Sequence, residues 1–305
     1  MSPSKIQRKV LLSIVCSGVL LFAGLACGRD GPLPFHEISW RYPSDGLGPS
    51  QVIVAVPKQA SKTAPMPVLV ALHGQGESRK PPARGARGWI DDYDMARAST
   101  RLAVPPLTRE DFGGMVTLKR LERLNRSLAK RPFRGIIVVC PYLPDRFRVN
   151  RLAQDANAYG AFLTNTVLPR VFKETPSMGT PESTGIDGVS LGGRAAVIIG
   201  LERPETFGAV GGIQAAFGKR QVDSISAMVE RARRDHPNLA FRIMSSEKDR
   251  FRDVTLMLSN ALKARGMSHQ VDIVEGNHSY AFNRGPGVYE MLIYYDRILR
   301  GEPFL

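Results

Sequence analysis

A serine lies inside a short glycine-rich run, G-V-S-L-G, that spans residues 188–192. The run fits the G-x-S-x-G pattern, follows an apolar strand candidate and precedes a helical pattern rich in Ala, Ile and Leu. Gly188 and Gly192 permit the sharp strand-to-helix turn that exposes a serine hydroxyl. The pattern predicts that Ser190 is a nucleophile and that the N–H of Leu191, at the helix N-terminus, faces a developing oxyanion.

A second glycine-containing turn follows another strand candidate, in the run L-H-G-Q-G at 72–76. Gly74 lets the backbone approach a substrate closely, because it has no side chain. We expect the N–H of Gln75 to be the second oxyanion donor.

A serine hydroxyl is a weak nucleophile and needs a general base. In this type of site the chain order is Ser, then Asp or Glu, then His. His278 follows the last strand candidate and precedes the final helix candidate, so it is the predicted base. His269 and His236 are rivals, but each precedes or flanks the start of a strand.

Three carboxylates follow the strand candidate through residue 243 and are candidates for the acid. Asp249 is our choice, because a loop position several residues beyond the strand reaches toward the histidine. Asp253 directly precedes a helical pattern and better fits a helix N-cap. Glu247 is the remaining alternative.

The cysteines and histidines show no metal-ligand spacing. Cys140 lies in an apolar run and is expected to be a buried small hydrophobe. The sequence predicts no metal site and no cofactor.

Short β-branched runs alternate with amphipathic stretches after residue 30. This alternation is typical of α/β proteins, in which helices cover both faces of a mostly parallel sheet. The strand candidates are 51–56, 68–72, 135–140, 185–189, 208–213, 240–245 and 270–274. The helix candidates are 117–129, 153–172, 191–202, 224–234, 253–265 and 287–299.

The segment 77–134 is long for a single connection and reads as a basic insertion after the second core strand. Between Arg79 and Arg151 there are 17 Lys and Arg but only 7 Asp and Glu, in a chain of net charge +14. This stretch has no aromatic spacing or signature of nucleic-acid binding, so no nucleic-acid partner is predicted. Most of these charges should form a solvated surface. We expect the insertion to fold over the carboxyl edge of the sheet, with some arginines facing an anionic acyl or leaving group.

The first 27 residues have the pattern of an export signal. Lys5, Arg8 and Lys9 precede an apolar run at 10–26. Small residues before Cys27 favour a lipoprotein signal, although Gly24 stands where a large aliphatic residue is usual. Ordinary cleavage nearby and a permanent anchor are the alternatives. We expect an exported protein whose membrane contact is a lipid on Cys27.

The chain is therefore divided into a signal peptide at 1–27, a linker or edge segment at 28–50 and a catalytic domain at 51–305. From roughly residue 51 to residue 299 it resembles the bacterial putative esterase family of α/β-hydrolases. That family includes feruloyl and acetyl-xylan esterases and S-formylglutathione hydrolases. The strand-end motifs carry the resemblance, together with the run R-P-E-T-F-G-A-V at 203–210.

The resemblance implies an α/β-hydrolase fold and ester hydrolysis through an acyl-enzyme, with Ser190, Asp249 and His278 in matching places. The chain departs from the family in its larger insertion and in Gln214, which begins a run where a serine-bearing run is common.

The predicted function is that of a serine carboxylic ester hydrolase acting on a small-molecule or carbohydrate-linked ester. One alternative is an acyltransferase of the mycolyltransferase kind with the same triad. The other is an exported binding protein that has lost activity, since fold alone does not settle function. A peptidase of the prolyl-oligopeptidase type is disfavoured, because we find no segment that matches the extra propeller domain such enzymes usually carry.

Overall fold

Eight β-strands form one sheet in a computed structural model, which describes residues 34–43, 50–145 and 152–305. The predicted strands all correspond to β2 to β8, with ends that differ by a few residues. The strands are β1 Phe35–Tyr42, β2 Ser50–Pro57, β3 Val68–Leu72, β4 Ile137–Pro141, β5 Thr184–Gly188, β6 Ala209–Ile213, β7 Ala240–Lys248 and β8 Gln270–Asn277.

The order of the strands across the sheet is β1-β2-β4-β3-β5-β6-β7-β8. Neighbours from β4 to β8 are parallel, whereas β2 is antiparallel to both β1 and β4. The parallel part places the carboxyl ends of β3, β5, β7 and β8 at one edge. This sheet confirms the predicted α/β-hydrolase fold.

Helices cover both faces of the sheet, as predicted. Side chains alternate along a strand, so Val68, Val70 and Leu72 belong to one buried cluster and Leu69 and Ala71 to the other. The helices are α1 Gln75–Ser78, α2 Pro82–Gly85, α3 Met95–Ala103, α4 Leu118–Lys130, α5 Leu152–Phe162, α6 Leu168–Glu174, α7 Leu191–Leu201, α8 Val222–Asp235, α9 Arg252–Ala264, α10 Tyr280–Phe282 and α11 Val288–Ile298.

The helix predicted at 153–172 is two helices, α5 and α6, joined by a π-helical turn at Leu163–Val167. Pro169 lies in the first turn of α6 and has no N–H to donate to the preceding turn. The change in helical geometry falls at this proline because the α-helical hydrogen bond is missing there.

Two helices of the basic insertion, α3 and α4, pack on one face of the sheet and not over its carboxyl edge, so the prediction is wrong for them, whereas Tyr93 of the same insertion binds Gly74 beside that edge. Side chains of α3 and α4 join the hydrophobic cluster on one face of the sheet, which also contains α11. Apolar side chains spaced along both helices produce this packing. The shared cluster includes Met95, Leu102, Leu124, Leu128, Met291 and Leu292.

Several arginines of the insertion pair with carboxylates of the same chain rather than facing a substrate. Arg87 binds Glu37 on β1, and Arg101 binds Asp111. Arg120 binds Glu290 on α11. These ion pairs attach the insertion to neighbouring parts of the fold.

The predicted signal peptide, with Cys27, lies outside the described residues. Within the segment predicted as a linker or edge, residues 35–42 form the edge strand β1. Cys140 is buried in β4, as predicted. Among the described residues, no helix has the length and apolar character needed to cross a membrane. The same residues contain no cluster of His, Cys, Asp and Glu suited to a metal ion.

Candidate active site

Ser190 occupies a strained turn between β5 and α7. Its φ of 57° and ψ of −114° lie outside the regions that side-chain-bearing residues favour. The neighbouring strand holds this turn, because the Ser190 N–H donates to the Ile213 carbonyl at 2.9 Å and its carbonyl accepts from the Ala216 N–H at 2.9 Å. The strain is thereby maintained by backbone hydrogen bonds on both sides of the serine.

Gly188 and Gly192 are required in this turn because a side chain at either position would overlap neighbouring backbone atoms. A Cβ at Gly188 would lie 2.6 Å from the Gly192 carbonyl oxygen, and a Cβ at Gly192 would overlap the backbone carbonyl of His73. Backbone atoms cannot move aside as a flexible side chain can. The turn therefore packs directly against the chain that follows β3.

A hydrogen-bonded row of three side chains starts at this turn. His278 Nε2 lies 3.0 Å from Ser190 Oγ, and His278 Nδ1 lies 2.9 Å from Asp249 Oδ1. The histidine follows β8 and is 21% exposed, whereas the aspartate side chain is fully buried. The structure thus brings together the three residues that the sequence predicted as nucleophile, base and acid.

The rival residues lie elsewhere. His269 pairs with Ser259 and the Met267 carbonyl at the start of β8. His236 ends α8. Asp253 is 78% exposed and binds Arg252 within the first turn of α9. The N-cap of that helix is Phe251, so the N-cap assigned to Asp253 is wrong by two positions.

Glu247 belongs to β7, where the ladder with β8 shifts register between Ser246 and Lys248. The strand ends there, and the Asp249 N–H donates to the Ser246 carbonyl in a tight turn. This turn carries Asp249 back toward the histidine and leaves Glu247 exposed.

Three donors hold the Asp249 carboxylate. Burial raises the pKa of Asp249, but hydrogen bonds from His278, the Ser245 hydroxyl and the Phe251 N–H outweigh burial and hold the pKa below its ordinary value. Ser245 Oγ is 2.5 Å from Oδ2. The aspartate is therefore ionised when the site is at neutral pH, and its charge favours a proton on Nδ1 of His278.

The turn after β3 adjoins the serine turn because of strand register. Leu72 pairs with Gly188 in the parallel ladder, and the Val189 N–H donates to the Leu72 carbonyl at 3.1 Å. Gln75 and Leu191 therefore follow equivalent positions on neighbouring strands. Each begins a helix, where the first N–H groups have no intrahelical acceptor.

His73 fixes the turn that contains the predicted donor Gln75. Its Nδ1 is 3.0 Å from the Gly74 carbonyl, and its Nε2 accepts the Leu143 N–H at 2.9 Å. Burial lowers the pKa of His73, so the ring is neutral and Nδ1 carries the proton. This buried histidine positions the backbone and is not part of the row of three side chains.

A buried ion pair lies at the end of β5, next to the turn that contains Ser190. Asp187, at the end of β5, is 3.5 Å from Arg242 and accepts the Gly188 N–H at 2.6 Å. Burial raises the pKa of Asp187 to about 6, although Arg242 opposes this increase. Neither side chain is exposed to solvent.

Sequence reasoning missed two residues that support these loops. One is Ser245, which donates to Asp249. The other is Gln214, whose amide nitrogen donates to Ser246 Oγ at 2.8 Å and to the Asn277 carbonyl at 3.0 Å. Gln214 is fully buried with a φ of 46°. Its departure from the family pattern was the one signal that singled it out.

Ser245→Ala tests the support of the acid. We expect the free energy of unfolding to fall by about 1.5–3 kcal/mol at neutral pH, the usual value of a hydrogen bond to a charged group. A depressed folded-state pKa stabilises the protein above the ordinary value of 3.8, and this stabilisation is lost as the pH falls through the folded pKa. The difference in free energy of unfolding between Ser245→Ala and the parent should therefore become smaller at acidic pH. Urea unfolding at several pH values measures it.

Ser246→Ala is the matched control, because Ser246 is equally buried and its hydroxyl binds the uncharged Gln214. Its loss of stability should be independent of pH. An equal pH dependence in the two variants would contradict the account of Asp249.

A mostly parallel sheet with a serine on a strained strand-to-helix turn, where the serine is bonded to a histidine and the histidine to a buried aspartate, defines a serine hydrolase of the α/β type. The chain is similar to the putative esterase family, whose model matches residues 136–282. That range contains Ser190, Asp249 and His278. The chain is accordingly a carboxylic ester hydrolase of the serine type, as the sequence predicted.

Solved structures show the same fold. A ferulic acid esterase is 17% identical with a TM-score of 0.63, over 88% of this chain and 100% of that chain. The S-formylglutathione hydrolase from Staphylococcus aureus is 14% identical with a TM-score of 0.60, over 86% and 99% of the two chains. A feruloyl esterase module from Clostridium thermocellum, complexed with sinapinate, is 14% identical with a TM-score of 0.58, over 88% of each chain. No curated protein sequence matches the chain significantly.

Proposed function

We propose that the protein hydrolyses carboxylic esters through an acyl-enzyme on Ser190. The observation that carries the proposal is the hydrogen-bonded row from Ser190 Oγ to His278 Nε2 and from His278 Nδ1 to Asp249 Oδ1. A hydroxyl bonded to an imidazole whose other nitrogen faces a carboxylate is the arrangement that activates a serine.

In the first half-reaction, Ser190 Oγ attacks the ester carbonyl carbon and its proton passes to His278 Nε2. The carbonyl oxygen becomes an oxyanion, which the N–H groups of Gln75 and Leu191 stabilise. The bond to the alcohol oxygen then breaks, and the proton on Nε2 moves to the departing alcohol. Asp249 keeps its negative charge and stabilises the imidazolium.

In the second half-reaction, water replaces the alcohol. His278 takes a proton from the water, which attacks the acyl-enzyme, and returns that proton to Ser190 Oγ as the acid departs. No cofactor takes part in either step. The proposed substrates are small-molecule or carbohydrate-linked esters. The proposed location is outside the cytoplasm, from the signal pattern at residues 1–27.

Partition experiments test the acyl-enzyme. p-Nitrophenyl acetate and phenyl acetate, each hydrolysed in the presence of methanol, would form the same acetyl-enzyme. We expect both esters to give the same ratio of methyl acetate to acetic acid, because water and methanol compete for one intermediate after the leaving group has gone.

A ratio that depended on the leaving group would contradict a common acyl-enzyme. Replacing methanol by a sugar distinguishes the acyltransferase alternative, which predicts acylated sugar as the main product. Absence of turnover and of phosphonylation of the folded protein would favour the silent binding protein.

A further inference from the structure

A buried carboxylate links the loop of the predicted oxyanion donor to the loop of the histidine. Glu77 is 1% exposed and follows Gln75 by two residues. Its Oε1 accepts the hydroxyl of Tyr280 at 2.6 Å, and Tyr280 follows His278 by two residues. One side chain thereby joins the two loops that meet at Ser190.

The second carboxylate oxygen of Glu77 is bound to the loop that contains Gln75 through Tyr93. Oε2 accepts the hydroxyl of Tyr93, and the oxygen of that hydroxyl accepts the Gly74 N–H at 3.0 Å. Gly74 directly precedes Gln75. The backbone on the amino side of the predicted donor is therefore fixed to the carboxylate through Tyr93.

Glu77 and the Tyr280 hydroxyl each lie against a glycine, although the Tyr280 ring is partly exposed. A Cβ at Gly76 would overlap the Tyr280 hydroxyl, and a Cβ at Gly88 would lie 2.7 Å from Cγ of Glu77. The rings of Tyr93 and Tyr280 are 5.9 Å apart. The only cation paired with Glu77 among the described residues is Lys80, at 3.7 Å.

The simpler interpretation is that the tyrosines merely satisfy a buried charge, which is costly to leave unpaired. That need explains why Glu77 has partners. It does not explain why both partners are tied to active-site loops, since a tyrosine–carboxylate bond at Tyr289 and Asp111 satisfies a carboxylate without touching either loop.

We propose that Glu77 is a positioning residue that sets the distance between the oxyanion donor loop and the His278 loop through Tyr280 and Tyr93. The inference rests on the proposed function, because it assigns Gln75 and His278 their roles. Transition-state stabilisation depends on donors that are already in place, so loosening this connection lowers kcat more than it raises KM.

Tyr280→Phe is the decisive variant, because it removes the hydroxyl and keeps the ring. We expect kcat for p-nitrophenyl acetate to fall by about 10- to 100-fold, as small misplacements of catalytic groups do, with KM within about twofold of the parent. Inhibition by phenylboronic acid, which forms a tetrahedral adduct on an activated serine, should weaken in parallel with kcat/KM.

Tyr289→Phe is the matched control, since it breaks a tyrosine–carboxylate bond that includes no residue of the triad. It should change Tm as much as Tyr280→Phe does and leave kcat unchanged. Glu77→Gln, and the double variant that combines Glu77→Gln with Tyr280→Phe, extend the test. If both residues act through one bond, the double variant loses no more kcat than the worse single variant.

An unchanged kcat in Tyr280→Phe would overturn the inference. So would a lower kcat with unchanged boronate inhibition, or fully additive losses in the double variant. Ser190→Ala separates this failure from failure of the proposed function. If that variant is inactive while Tyr280→Phe behaves as the parent does, only the positioning role of Glu77 is wrong.

Discussion

Ser190→Ala is expected to lower kcat for p-nitrophenyl acetate by about 10⁴- to 10⁶-fold, the range found when a triad nucleophile is removed. The reason is that the alanine has no atom that can form the acyl-enzyme. KM should change little, since the small methyl group leaves the substrate-binding surface intact. Steady-state kinetics on the purified protein measure both quantities.

The remaining rate should reflect hydrolysis by water at the proposed oxyanion donors, the N–H groups of Gln75 and Leu191. Ser224→Ala is the control, because Ser224 is exposed and its hydroxyl binds only the Gln221 carbonyl among the described residues. It should keep the parent rate. Retention of parent activity by Ser190→Ala would mean that another residue attacks the ester.

His278→Ala is expected to cause a loss of similar size, about 10⁴- to 10⁶-fold in kcat. Without the imidazole, the Ser190 proton has no acceptor and the departing alcohol has no donor. Because both residues act in one step, Ser190→Ala combined with His278→Ala should be scarcely worse than either variant alone.

His269→Ala is the matched control for the base. His269 also makes two hydrogen bonds, to Ser259 and to the Met267 carbonyl, but it lies at the opposite end of β8. Its variant should lose stability and keep kcat within about twofold. A larger loss of kcat in His269→Ala than in His278→Ala would contradict the assigned base.

The fold and the row of three side chains could be predicted because short stretches of the sequence indicate both. Apolar β-branched runs mark buried parallel strands, and chemistry-bearing residues follow their carboxyl ends. Ser190 directly follows one strand candidate and His278 lies in the loop after another, so topology alone brings them to one edge. The strand register then sets their distance.

The acid was harder to assign, because three carboxylates lie within seven residues of one another. The deciding feature is the register shift at the end of β7, followed by a turn from Ser246 to Asp249. Such a shift depends on pairing with β8, which is distant in sequence. The residues around Asp249 and Glu247 therefore contain no local pattern that shows which of the two binds the histidine.

The basic insertion was misjudged for the same reason. Its net positive charge suggested contact with an anionic substrate, but Arg87 and Arg120 find carboxylates on β1 and α11. These partners are 50 and 170 residues away in the chain. The net charge of a segment does not reveal which carboxylates elsewhere in the chain its arginines will bind.

The connection through Glu77 was likewise hidden, because Tyr280 lies 203 residues further along the chain. Sequence reasoning identified both loops but had no means of detecting the bond between them. Gln214 differs in this respect, since its departure from the family pattern drew attention to the position that joins Ser246 and Asn277.

Fluorophosphonate labelling, with the modified peptide identified by mass spectrometry, tests the central claim most directly. A fluorophosphonate reacts with a serine only when that serine is activated by its base. We predict a single adduct on Ser190 in the parent protein, none in Ser190→Ala, and greatly slowed labelling in His278→Ala. An adduct on a different residue, or equal labelling of the parent and Ser190→Ala, would contradict the assignment of Ser190 as the nucleophile.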